Sequence, residues 1–252
     1  MRDDTRDLTE PGGEVRLFVE APLGLGACVV AGEGQAHYLL HVMRAKVGDR
    51  VRLFNGRDGE WLARIAEARK RGCTLECETQ IAPQTEVPDL WLAFAPIKKT
   101  PADYVVQKAT ELGVRVLQPV LTRRTIARRV NLERMRANAI EAAEQSGRVS
   151  VPETRELADL DKLLAAWPQE RRILFCDEAG EAPSIADALR LAAPGPWAVL
   201  TGPEGGFDPA ERDRLRALPF VVPVSLGTRI LRADTAALAA LAVWQALVGD
   251  WR

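Results

Sequence analysis

The sequence predicts an α/β protein in which a small β-barrel precedes a larger domain built on a largely parallel sheet. Three observations carry that reading. From Leu90 onward, apolar runs alternate with capped helical stretches, the rhythm of strands and helices wound about a parallel sheet. Upstream, short β-type runs are divided by turn signals such as Val47-Gly48-Asp49 and Asn55-Gly56-Arg57-Asp58-Gly59, which suits a small barrel. Between the two, residues 82–89 are polar and carry Pro83 and Pro88, the composition of a linker.

In chain order, residues 1–13 are polar, contain Pro11-Gly12-Gly13 and are expected to be a disordered tail. The barrel is expected over 14–81, with strands at Val15–Glu20, Ala27–Ala31, Arg50–Phe54, Trp61–Ala66 and Cys73–Thr79, and one helix at Gln35–Arg44. The second domain, 90–252, has strands expected at Leu90–Ala95, Val116–Val120, Ile173–Cys176, Trp197–Thr201 and Val221–Ser225. Thr100-Pro101-Ala102-Asp103 and Asp208-Pro209-Ala210-Glu211 each set a capping side chain, a proline at the first helical position and an acid in the first turn. Asn131 caps a helix through Ala142, and Gly113 ends the one before it. The last helix, Asp234 to about Val248, is apolar on nearly every side, so a core or a second subunit must cover it.

The net charge of −1 excludes nothing until it is divided by segment. Between Arg115 and Arg148 stand eight arginines against three glutamates, a local excess that suits a phosphate backbone. Arg123, Arg124, Arg128 and Arg129 are its densest part, and Arg16 and Arg44, with Arg50 and Arg52, extend the candidate nucleic-acid-binding surface into the barrel. A solvated face is the plain alternative. The beginning of the chain holds no apolar stretch of a signal peptide or anchor. Four cysteines without a Cys-x-x-Cys pair fit a reducing, cytoplasmic setting. His37 and His41 share a helical face but lack a third ligand, so no metal is expected.

Two segments are placed to carry chemistry. Leu200-Thr201-Gly202-Pro203-Glu204-Gly205-Gly206-Phe207 lies between a strand and a capped helix, where open α/β sheets bind ligands, and its glycines free the backbone for close approach. It is neither G-x-G-x-x-G nor a phosphate loop with its lysine. Leu226-Gly227-Thr228-Arg229-Ile230-Leu231-Arg232-Ala233-Asp234-Thr235-Ala236 again joins a strand to a helix, flanking an Ile-Leu pair with two arginines. A plain turn and two solvated arginines are the alternatives.

Taken together, GPEGGF and LGTRILRADTA resemble the RsmE family of bacterial 16S rRNA (uracil-N3)-methyltransferases, within the SPOUT superfamily. Gln107–Val114, Ala142–Arg148 and His41-Val42-Met43-Arg44 extend the resemblance over nearly the whole chain from Val15. Asp234 stands where the family more often has Glu, and Lys99-Thr100-Pro101 replaces the more usual Gly-Asp-Arg. The resemblance implies a C-terminal SPOUT domain with a deep trefoil knot, a PUA-like RNA-binding barrel and a homodimer. It implies S-adenosylmethionine held by Leu200, Thr201, Gly202, Pro203, Glu204, Gly205, Gly206, Leu226, Gly227, Arg229, Ile230 and Leu231. It implies 16S rRNA, or the small ribosomal subunit, as partner and uridine 1498 as target. Methylating N3 requires loss of its proton, so Glu204 is the candidate base and Arg232 the candidate holder of the resulting anion. Glu204 organising its loop, and Arg232 binding phosphate, remain open beside these roles. A non-catalytic RNA-binding protein that keeps the fold is the alternative function.

Overall fold

The computed structural model describes residues 15–69, 72–97, 99–178 and 182–251, which leaves the expected tail over 1–13 outside the described residues. Two compact units form. One gathers the chain up to Glu86 with Ala143–Ser150, and the other holds Val87–Ala142 and Val151–Arg252.

In the first unit, β1 (Arg16–Phe18), β2 (Cys28–Val30), β3 (Arg50–Phe54), β4 (Glu60–Arg69) and β5 (Gly72–Ala82) lie in the order β1-β3-β4-β5-β2. All neighbours are antiparallel except β1 and β3. Period-two alternation builds the core: Val51 and Leu53 on β3, and Cys73, Leu75 and Cys77 on β5, are buried, while Arg50, Glu76 and Glu78 point outward into ion pairs. Register shifts along β4 and β5 add the twist that curls so small a sheet around Leu17, Leu39 and Ile65. The helix expected over Gln35–Arg44 is two segments, α1 (Glu33–His37) and a π-helical turn over Tyr38–Val42, after which Arg44 takes a left-handed φ of 56°.

The second unit contains β6 (Leu90–Phe94), α2 (Lys99–Glu111), β7 (Val116–Leu121), α3 (Leu132–Ser146) as far as Ala142, β8 (Glu153–Thr154) and β9 (Ala158–Asp159). They are followed by α4 (Leu160–Ala165), β10 (Arg172–Cys176), α5 (Ile185–Arg190), β11 (Trp197–Thr201), α6 (Pro209–Ala217), β12 (Val221–Val224) and α7 (Ala233–Leu247). The strand order is β12-β10-β11-β6-β7-β8, with β9 also on β7, and every described pairing is parallel. Each residue of β11 is buried, as a central parallel strand covered on both faces requires.

Helix ends obey the expected chemistry where their side chains are described. Asp208 accepts from Ala210 N while Glu211 reaches back to Asp208 N, and Asn131 accepts from Arg134 N. Gly113 follows α2 at φ 77°, the left-handed residue that stops a helix. The side chains of Thr100 and Pro101 lie outside the described residues. Helices α4 and α5, capped by Asp159 and Ser184, are additions to the expected elements. Helix α7 buries one face through Ala237, Ala240, Leu241 and Trp244 but leaves Ala246 exposed, so the chain itself covers only part of it. Among the described residues no helix is long and apolar enough to cross a membrane.

Candidate active site

Parallel strands end along one edge, and the segments leaving β6, β10, β11 and β12 meet there. After β11 the chain turns sharply, with Gly206 N donating to Pro203 O at 2.9 Å. The glycines answer close neighbours. A Cβ on Gly202 would stand 2.7 Å from the Phe207 ring, which is buried and stacked edge-on against Phe175. Gly206, at φ 66°, would place its Cβ 2.6 Å from Glu178 Oε1, the atom that accepts from Phe207 N at 2.9 Å. The bareness read as room for a ligand thus first serves the packing of the turn itself.

Two adjoining cavities open at this edge. Thr201, Gly202, Pro203, Glu204 and Gly206 from one loop meet Ile230, Leu231 and Arg232 from the other around a cavity of about 330 Å³. Leu226, Gly227 and Arg229, with Ile230 and Leu231 again, border a second cavity of about 370 Å³. Leu200 and Gly205 border neither: Leu200 is buried within β11, and Gly205 faces the Arg124 side chain. Ile97, Cys176 and Glu178 line the first cavity and were not read from the sequence. Only the strand order, which sets β10 on one side of β11 and β6 on the other, brings them there.

Carboxylates outnumber cations around the first cavity, with Glu178, Glu204 and Asp234 against Arg232. Asp234 Oδ1 accepts from Thr235 N and lies 3.7 Å from Arg232 Nε, whose side chain is exposed. Glu204 is exposed and has no hydrogen bond among the described residues. At the cavity wall, burial and then the charge of Glu178 push the Cys176 thiol up to about 12.

The arginine-rich loop reaches the same neighbourhood. Thr122 and Thr125, both buried and hydrogen-bonded to each other, close a turn that presents Arg123 and Arg124. Arg123 pairs with Asp208 at 3.0 Å, and its backbone N–H donates to Glu211. Arg124 donates to Gly205 O, while Arg128 and Arg129 are exposed. Arg44 is exposed in the first unit. Arg16 corrects the expected RNA surface. It is 7% exposed, pairs with Glu60 at 2.6 Å and donates to the carbonyls of Ala143, Glu144 and Arg148, so its charge is spent inside the fold. The His37 and His41 rings lie 5.0 Å apart, and no group of three metal-ligating side chains occurs among the described residues.

Residues 84–245 match the family model described as an RNA methyltransferase domain, and residues 31–77 match an RNA methyltransferase PUA domain. The ribosomal RNA small subunit methyltransferase E of Rickettsia conorii is 33% identical over 90% of this chain and 93% of its own length. That of Synechocystis is 34% identical over 92% of this chain and 78% of its own. Among solved structures, the Neisseria gonorrhoeae protein of the same name, bound to S-adenosylmethionine, superposes with a TM-score of 0.86 at 29% identity, covering 95% of this chain and all of that one. A Legionella pneumophila protein in complex with the same cofactor gives 0.84 at 28% identity, over 94% of this chain and 99% of that one. With its RNA methyltransferase and PUA domains, its parallel α/β sheet and this likeness along nearly its whole length, the chain belongs to the ribosomal RNA small subunit methyltransferase E family.

Proposed function

We propose that this chain methylates N3 of a uridine in 16S rRNA, uridine 1498 by family resemblance, using S-adenosylmethionine and working as a homodimer in the cytoplasm. One observation carries the reading. The segments after β11 and β12, separated in sequence by α6 and β12, close around one cavity whose carboxylate excess complements a sulfonium cation. The cofactor is assigned to the loops Leu200–Gly206 and Leu226–Leu231, where it supplies an electrophilic methyl carbon. The domain limits proposed are 14–81, 82–89 and 90–252, and the trefoil knot falls within the last of these.

Glu204 takes the proton from uracil N3, and its exposure leaves the carboxylate open to an incoming base. Arg232, exposed and only loosely held by Asp234, swings to hold the anionic uracil. A base stacked in RNA hides N3, so the uridine is turned out into the cavity. Arg44, Arg124, Arg128 and Arg129, with Arg123 less freely, bind phosphates. The apolar stripe that α7 leaves uncovered forms the subunit contact.

A non-catalytic RNA-binding protein has no use for this cavity. Calorimetry is expected to show binding of S-adenosylmethionine and none of NADH; the converse removes the reading.

A further inference from the structure

We propose that Glu178 is a cofactor-binding residue whose carboxylate accepts hydrogen bonds from donor groups of the cofactor where the two cavities meet. This rests on the assignment of S-adenosylmethionine to the site. Three polar side chains end β10, and only one is available. Asp177 is 3% exposed and paired with Arg216 at 2.7 Å, and Cys176 is buried. Glu178 is exposed and borders both cavities.

Its carboxylate is fixed from behind. Oε1 accepts from Phe207 N at 2.9 Å, and the loop closes on it because residue 206 is glycine. A donor on one face and solvent on the other leave a preoriented acceptor, with no cation paired to it among the described residues. The other carboxylates of the first cavity are worse placed. Asp234 is engaged by Thr235 and Arg232, and Glu204 has no partner among the described residues to orient it. S-adenosylmethionine carries three kinds of donor that suit a fixed carboxylate, the ribose hydroxyls, the adenine amino group and the amino-acid ammonium, and charge-assisted bonds to any of them are strong.

The isosteric variant Glu178→Gln keeps an oxygen for Phe207 N and removes the charge. Calorimetry on the full chain with S-adenosylhomocysteine and with 5′-methylthioadenosine, which lacks the amino-acid group, separates the donors. Glu178→Gln is expected to weaken S-adenosylhomocysteine by about tenfold while melting with the wild type. An equal loss for 5′-methylthioadenosine identifies the nucleoside half, its ribose hydroxyls or its adenine amino group, as donor, and no loss identifies the ammonium. Either supports the contact. Affinities for both ligands within about twofold of wild type overturn it. A loss of affinity that tracks a lower melting temperature of the ligand-free protein also overturns it, because Glu178 is then only a loop staple. If the wild type binds neither ligand, the cofactor assignment itself fails.

Discussion

The Arg124 guanidinium donates to the backbone carbonyl of Gly205 at 3.1 Å, joining the arginine-rich loop to the glycine loop 81 residues away. The proposed RNA-binding charge and the proposed cofactor site are therefore joined by this bond. Arg124→Ala is expected to weaken S-adenosylmethionine by about two- to tenfold, the worth of one partly exposed hydrogen bond. Replacing Arg128 and Arg129 by Ala leaves cofactor affinity alone and lowers the salt slope of RNA binding by roughly 1.5. Calorimetry and filter binding across a salt series check both. Unchanged cofactor affinity in Arg124→Ala would separate the loops again.

Neighbouring glycines should behave differently. Gly206→Ala forces a side chain into a left-handed conformation and against Glu178, and is expected to cost at least about 1–2 kcal/mol with loss of cofactor binding. At Gly205 the nearest neighbour of an added Cβ is 3.7 Å away, so Gly205→Ala should stay within about 0.5 kcal/mol of wild type. Thermal unfolding of the two variants, with equal losses, would contradict this account of the turn.

For Arg16 the expected loss is in stability. Arg16→Ala strands the Glu60 carboxylate and three carbonyl acceptors, and a broken buried pair costs about 3–5 kcal/mol. Urea unfolding measures it. An unchanged midpoint, with a shallower salt dependence of RNA binding instead, would return Arg16 to the RNA surface.

Alkaline pH should loosen the fold through Cys176. Its thiol rises from 9.0 to about 12 on burial, so the stabilisation is complete below pH 9 and is lost as pH climbs toward the folded value. Over that window the group contributes a fall of up to about 1.4 kcal/mol per pH unit. Cys176→Ala should flatten the decline in unfolding free energy between pH 9 and 10.5. Parallel wild-type and variant curves would refute the assignment.

Much of this was legible in the sequence because it is local. Alternating Val51 and Leu53, the apolar run Trp197–Leu200 of β11 and the Asp208 capping box each announce their element without help from the rest of the chain. The two loops were legible as motifs. What stayed hidden depends on strand order. Glu178 looks like any acid after a strand until β10 lies beside β11, and Arg16 looks like a surface arginine on a three-residue strand until Glu60 and the carbonyls of Ala143 and Glu144 surround it. Six-residue helices such as α4 and α5 carry too few turns for a helical period to show.

The most direct test of the central claim is the N3-methyluridine content of 16S rRNA from cells lacking this gene, read at nucleotide resolution as a block to reverse transcription. One uridine should lose its methyl group in the deletion strain. It should regain it with the wild-type gene and stay bare with Arg232→Ala, although that variant keeps most of its RNA affinity. An rRNA whose uridine methylation is the same with and without the gene would contradict the account.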